Sequence, residues 1–177
     1  MYDVNEAREY FKTETFSQEV TGIEIVALDE NYARCKLTLD ERHGNLYGNV
    51  MGGVIYTLAD FTFGVASVYN RDYPTVTSTS NINFLNGAKI GSTLYSEAKV
   101  LKDGQRICFC EVFIKDETGK DIAQATITGI HLRDVKIDPK TRKPIGSWRD
   151  KVNAPHDVPE EISCIYSGKP QPEMFEK

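Results

Sequence analysis

The chain is poor in the residues that build metal and disulfide frameworks. Its three histidines, His43, His131 and His156, are too scattered for a zinc-ligand spacing, so no metal site is expected. The four cysteines, Cys35, Cys108, Cys110 and Cys164, show no metal spacing either. Cys108 and Cys110 alternate along a strand-like run, and neighbours two apart on one strand are poorly placed for a disulfide, so reduced, buried thiols are expected. No apolar run reaches the ~20 residues that cross a bilayer. The nearest, Val54 to Val68, contains Asp60 and Gly64. The N-terminus is charged from Asp3 onward and carries no apolar signal stretch, which predicts a cytoplasmic protein with no membrane partner. A net charge of -5 lacks the basic excess that phosphate backbones demand, so no nucleic-acid partner is expected. A phosphate-binding Walker loop, a dinucleotide fingerprint and the G-x-S-x-G elbow of serine hydrolases are all missing.

What is present suits one compact domain. A chain of 177 residues, 40% hydrophobic and 27% charged, can bury a sizeable core. The residue pattern predicts a short amphipathic helix near Val4 to Lys12, strands near Thr21–Leu28 and Tyr32–Leu39, and then a long apolar helix. Four more strands follow near Thr75–Leu85, Thr93–Leu101, Arg106–Lys115 and Asp121–Leu132. Hairpin turns fall at Lys102-Asp103-Gly104 and Glu117-Thr118-Gly119. The fold class is therefore α+β, one long helix against an antiparallel sheet. Arg106 to Ile114 is apolar on both alternations apart from Glu111, as expected if one sheet face packs on the helix and part of the other meets a partner.

One carboxylate stands out in this layout. Asp60 lies within the apolar run Val54 to Ala66, where burying it unpaired would cost about several kcal/mol. Apolar residues on nearly every side predict an enclosed helix, with Asp60 at an interior or interface position. The plain alternative is a carboxylate in a solvent gap, or one bonded to Thr57. Upstream, Gly52-Gly53 opens the helix, where free N–H groups and the positive end of the helix dipole can hold a developing oxyanion. Without side chains, those glycines let a carbonyl approach. Asp60 lies eight residues below, about two helical turns, which is long for one helix end, yet a substrate crossing from a partner subunit could meet both groups.

The stretch His43-Gly44-Asn45-Leu46-Tyr47-Gly48-Asn49-Val50-Met51-Gly52-Gly53 through Leu58 and Asp60 resembles the N-x-x-G-x-x-H-G-G-x-x-x-x-L-x-D pattern of PaaI-type hotdog-fold thioesterases. The likeness continues in Thr77 to Leu85 and through Gly91, Gly104, Gly119 and Ala123, covering roughly Val20 to Leu132. The resemblance implies a hotdog fold, a long central helix wrapped by an antiparallel sheet. It also implies an enzyme that hydrolyses acyl-CoA thioesters without a cofactor, as a homodimer or homotetramer with shared active sites. Carried over by position, Asp60 is general base or nucleophile and the Gly52 N–H polarises the thioester carbonyl. Asn45 positions water or thioester, and Thr77 assists orientation. Gly53, Met51, Tyr47 and Phe61 are expected to contact substrate.

Two positions depart from the pattern. Met51 stands where the family has His, and a thioether cannot replace imidazole in polar contacts. His43 or Tyr47 could supply a polar group instead, though for His43 a solvated loop histidine is the plainer expectation. Asn86-Gly87 replaces an Arg-Pro type of pair and removes a basic contact. Three functions follow: hydrolysis; a non-catalytic hotdog protein that binds acyl-CoA, which Met51 keeps open; and a hydratase or dehydratase, which would want an Asp-His pair and ranks last.

After Arg133 the composition changes. Six of the seven prolines, Pro139, Pro144, Pro155, Pro159, Pro170 and Pro172, lie there, and proline at that density discourages long helices and central strands. The expectation is a hotdog domain over residues 1–134 and a proline-rich extension over 135–177. Lys140, Arg142 and Lys143 are candidates for CoA phosphates, against the plainer reading of a solvated tail anchored by Trp148, Ile162 and Tyr166.

Overall fold

The computed structural model describes residues 3–138, apart from Asn70, together with Ile145. The proline-rich extension, with Lys140, Arg142, Lys143 and its apolar anchors, falls outside the described residues.

The order of elements follows the hydrophobic pattern closely. Helix α1 (Val4–Phe11) is capped by Asp3, whose carboxylate accepts from the Asn5 and Glu6 N–H groups. It buries Ala7 and Phe11. A π-helical turn, Phe16–Val20, follows, and no periodicity in the sequence announces it. Strands β1 (Glu24–Asp29) and β2 (Tyr32–Thr38) form a hairpin around Asn31, which takes a positive φ of 59°. After a loop comes α2 (Gly52–Val68), and then β3 (Thr75–Phe84), β4 (Thr93–Asp103), β5 (Ile107–Asp116) and β6 (Asp121–His131).

The six strands form one antiparallel sheet in the order β1-β2-β4-β5-β6-β3. Strand alternation decides what packs. On β5, Cys108, Cys110, Val112 and Ile114 are buried, while Ile107, Phe109 and Phe113 are exposed on the opposite face. The inward residues of β2, β4, β5 and β6 close over Leu58, Phe63, Val65 and Ala66 of α2. This is the hotdog arrangement, a long helix wrapped by an antiparallel sheet.

Two details set the site. Strand β3 lies at the sheet edge, and its pairing with β6 slips between Thr77 and Thr79, a bulge that re-aims Thr77. Opposite Thr77 stands Gly129, where an added Cβ would lie 2.7 Å from Phe63 Cζ and 2.7 Å from Thr75 Cγ2. A glycine here lets the helix and β3 close on each other. Helix α2 itself is less enclosed than its composition suggests. Gly53, Tyr56, Thr57, Asp60, Gly64 and Val68 form a partly open stripe at helical spacing, and that stripe faces a cleft.

Candidate active site

Asp60 projects from the open stripe of α2 toward β3. Thr77 Oγ1 donates to Asp60 Oδ1 at 2.7 Å, which leaves Oδ2 without a hydrogen bond from Thr77. Thr57 takes no part, since its hydroxyl donates to the Gly53 carbonyl one turn back. Asp60 and Thr77 lie in a cleft of about 560 Å³. Phe61 lines the same cleft while remaining buried, with its ring set edge-on to Phe11 at 5.7 Å.

The other wall of this cleft comes from the N-terminal segment: Tyr10, Phe11, Thr13, Glu14, Phe16 and Ser17. Sequence reasoning missed these residues because the pattern there shows only a short amphipathic helix. The available signal was the aromatic density of Tyr10, Phe11 and Phe16 around Glu14. Burial, and next the charge of Asp60, push the Glu14 carboxyl above its ordinary value, and a hydrogen bond with Ser17 partly offsets them.

The remaining expected residues stand apart from Asp60, around the start of α2. The loop His43 to Met51 closes on itself: Asn45 N–H donates to the Asn49 carbonyl, Gly48 N–H to the Asn45 carbonyl, and Met51 N–H to the His43 carbonyl. Asn45 Oδ1 accepts from the Tyr47 and Asn49 N–H groups, so this side-chain oxygen builds the loop. The tip carries Leu46 and Tyr47, 91% and 83% exposed. Met51 caps α2 with no side-chain hydrogen bond, and its Cε lies 3.5 Å from where a Gly53 Cβ would be. The Phe84 ring covers Gly52, with Cζ 3.3 Å from the position of an added Cβ. A smaller cleft of about 270 Å³ opens beside Gly52, lined by Asn49, Ile55, Phe84 and Asn86. Asn86 Nδ2 donates to the Asp121 carbonyl. Within one protomer, then, Asp60, Thr77 and Phe61 come together, and Gly52, Gly53, Asn45, Met51 and Tyr47 form a second group two helical turns away.

The expectation of a solvated His43 is corrected. His43 is 2% exposed; its Nδ1 accepts from the Asp40 N–H and its Nε2 lies 2.9 Å from the Thr21 carbonyl. It closes a single 3₁₀ turn, Glu41–His43, and pins the loop that leads to α2. With both nitrogens used, it cannot stand in for the imidazole missing at Met51.

Asp103, Cys108 and His131 bring ligand-type atoms within 4.8 Å of one another. Their partners are already within the protein. His131 Nε2 lies 2.9 Å from Asp103 Oδ1, though without hydrogen-bond alignment, and Nδ1 bonds with the Thr75 hydroxyl. Arg71 pairs with the other Asp103 oxygen. A guanidinium on the carboxylate opposes a metal ion there. Cys35, Cys108 and Cys110 are buried, and Cys164 lies outside the described residues.

Asp60, held by the Thr77 hydroxyl on the open stripe of a wrapped helix, thus lines a cleft two turns from the glycine-started end of α2. The signature of the "Thioesterase superfamily" matches residues 47–123, which span α2 and Asp60. "Acyl-coenzyme A thioesterase 13" of Mus musculus is 31% identical over 120 residues, 67% of this chain and 86% of that protein. "Acyl-coenzyme A thioesterase PaaI" of Escherichia coli is 28% identical over 102 residues, 58% of this chain and 72% of that protein. Among solved structures, a hypothetical thioesterase of Streptococcus pneumoniae with coenzyme A superposes with a TM-score of 0.63 at 25% identity, covering 68% of this chain and 95% of that one. The same protein has been solved with an aspartate, and separately a threonine, changed to alanine. The chain belongs to the thioesterase superfamily. The resemblance read from its Asn, Gly-Gly and Asp spacing is thereby borne out.

Proposed function

We propose that this protein hydrolyses acyl-CoA thioesters to the free acid and CoA. The observation that carries the reading is the Thr77–Asp60 hydrogen bond on the wall of an aromatic-lined cleft. It leaves one carboxylate oxygen fixed and one available. As general base, Asp60 takes a proton from water as the water oxygen bonds to the thioester carbonyl carbon. As nucleophile, its free oxygen makes that bond itself, and water then cleaves the mixed anhydride. In either case the carbonyl oxygen gains negative charge, for which the Gly52 N–H at the start of α2 is the donor. The C–S bond then breaks and CoA leaves as a thiol after protonation. An aspartate and a threonine are also the two residue types altered in the Streptococcus pneumoniae protein.

Asp60 and Gly52 lie about 12 Å apart along one helix, too far for one thioester carbonyl. Asp60 of one protomer therefore works with the Gly52 N–H of a second protomer, in a homodimer or homotetramer. Support comes from the solvent-exposed Leu46 and Tyr47 at the tip of the Gly52 loop and from the exposed edge strand β3. Asn45 keeps its Nδ2 donor for water or substrate, and Gly53, Met51, Tyr47 and Phe61 line the composite site. The hotdog domain comprises residues 1–134, with 135–177 as an extension.

Met51 in place of the family His keeps a second reading, a non-catalytic acyl-CoA binder. One experiment separates the two. Thiol release from short, medium, long and aromatic acyl-CoAs is measured for the natural chain and for Asp60→Asn. Turnover that the substitution abolishes establishes the hydrolase. Binding without turnover by the natural chain refutes it in favour of the binder.

A further inference from the structure

The Asp60 cleft is a trough between α2 and β3 that continues past Asp60 toward the C-terminal end of the helix. Two hydrogen bonds hold helix and strand together along it: Thr77 Oγ1 donates to Asp60 Oδ1, and Thr75 Oγ1 donates to the Ser67 carbonyl. The helix contributes Asp60, Gly64 and Val68, each about one turn beyond the last. Pro74 and Val76 line the trough from β3 and its approach, and Phe11 and Tyr10 line it from α1. The Tyr10 ring stands edge-on to Tyr69 at 6.4 Å, which brings α1 to the far end.

Gly64 lies in the middle of this trough, and nothing local asks for a glycine there. It is inside a helix of 17 residues, where glycine costs stability relative to alanine. Its backbone is helical, not left-handed. Apart from its own stretch of helix, no atom among the described residues lies within 4 Å of where its Cβ would be, so no neighbour forbids a side chain as Phe63, Thr75 and Cys108 do at Gly129. The space that a side chain would fill is the cleft.

The lining decides what occupies this end. Phe11, Gly64, Val68, Pro74 and Val76 offer no polar side chain, and the Thr75 hydroxyl is taken up by the Ser67 carbonyl and His131 Nδ1. The amides of a pantetheine arm would lose water there without gaining side-chain partners, whereas a hydrocarbon chain gains by leaving water. With the thioester at Asp60, the acyl chain therefore runs toward Val68. Helical rise puts Gly64 about 6 Å and Val68 about 12 Å beyond Asp60. Carbon–carbon bonds of about 1.5 Å advance an extended chain by about 1.3 Å per carbon, so Gly64 lies beside about the fifth acyl carbon and Val68 beside about the ninth.

We propose that Gly64 is a specificity-determining residue, whose missing side chain holds the cleft open beyond Asp60 and admits straight acyl chains of about eight to ten carbons. The proposal rests on the acyl-CoA reading of this cleft and adds its substrate class.

The test is a length series, butyryl-, hexanoyl-, octanoyl-, decanoyl- and dodecanoyl-CoA, assayed below micelle formation for the natural chain, Gly64→Ala, Gly64→Leu and Val68→Leu. For the natural chain, kcat/KM is expected to rise by about tenfold or more from butyryl- to decanoyl-CoA, as successive methylenes leave water. Gly64→Leu blocks the trough near the fifth carbon: butyryl-CoA stays within about threefold of its original value, while octanoyl- and decanoyl-CoA lose about tenfold or more. Gly64→Ala falls between these two and melts about 2–4 °C higher, because alanine suits a helix interior better. Val68→Leu spares octanoyl-CoA and penalises dodecanoyl-CoA. A natural chain that prefers butyryl-CoA overturns the proposal. So does a Gly64→Leu chain that keeps the natural length profile, loses all lengths alike, or sediments as a smaller assembly. If the natural chain hydrolyses none of the five, the hydrolase reading has failed and the series is read as dissociation constants by calorimetry. Weakening by Gly64→Leu that is confined to the longer chains then upholds the length selection, and a uniform or absent effect refutes it.

Discussion

Thr77 holds one oxygen of Asp60 and leaves the other open, and each member of the pair can be tested separately. Asp60→Asn is expected to lower kcat by about 10²–10⁴-fold with folding unchanged, measured by thiol release alongside circular dichroism. Thr77→Ala should cost about 10–100-fold, and Thr77→Ser should restore most of it, since the hydroxyl and not the methyl does the positioning. Away from the site, burial pushes the Cys35 and Cys110 thiols from 9.0 up to about 12. Their folded-state values are raised, so the stability from keeping them neutral is complete below about pH 9 and is lost as pH rises toward 12. Urea midpoints measured at about pH 8 and about pH 10.5 should therefore fall less in Cys35→Ala than in the natural chain. At this scale the place of Asp60 on a cleft was legible in the sequence, because a carboxylate inside an apolar helix has few plain explanations. Glu14 was not, since only folding brings this exposed glutamate to the cleft that Asp60 lines. His43 misled for the opposite reason, since its burial depends on the Thr21 carbonyl, 22 residues away.

At the scale of elements, the position of Thr77 depends on β6. Gly129 sits across from it, where any Cβ would press on Phe63, Thr75 and the Cys108 sulfur at 2.9 Å or less. Gly129→Ala should destabilise by about 1–3 kcal/mol. It should also reduce kcat beyond that of a comparably destabilising change remote from β3, when both are assayed well below their melting temperatures. The six strands and both helices were readable within a few residues, because alternation and helical spacing are strong in a chain with a single core. The π-helical turn Phe16–Val20 and the 3₁₀ turn Glu41–His43 were not. Neither is long enough to leave a period, and both are fixed by contacts outside their own segment. The openness of one stripe of α2 was equally hidden, since composition cannot tell a helix covered by its own sheet from one completed by a neighbour.

At the scale of the whole molecule, the exposed Leu46 and Tyr47, the edge strand β3 and the outward Phe109 and Phe113 leave apolar surface that a second copy would cover. Sedimentation is expected to give a dimer or tetramer at micromolar concentration, and specific activity should fall on dilution through the dissociation range. A fully active monomer would refute the composite site. No helix among the described residues is long and apolar enough to cross a membrane. The two turns of helix between Gly52 and Asp60 also have a genetic consequence. In the proposed composite site, damage to the two ends falls on different halves, so two inactive chains should complement. Asp60→Asn and Gly52→Val chains, each silent alone, should on mixing and reassociation form hybrids in which one of two sites receives both intact halves. About a quarter of the original activity should return from a mixture of dead proteins.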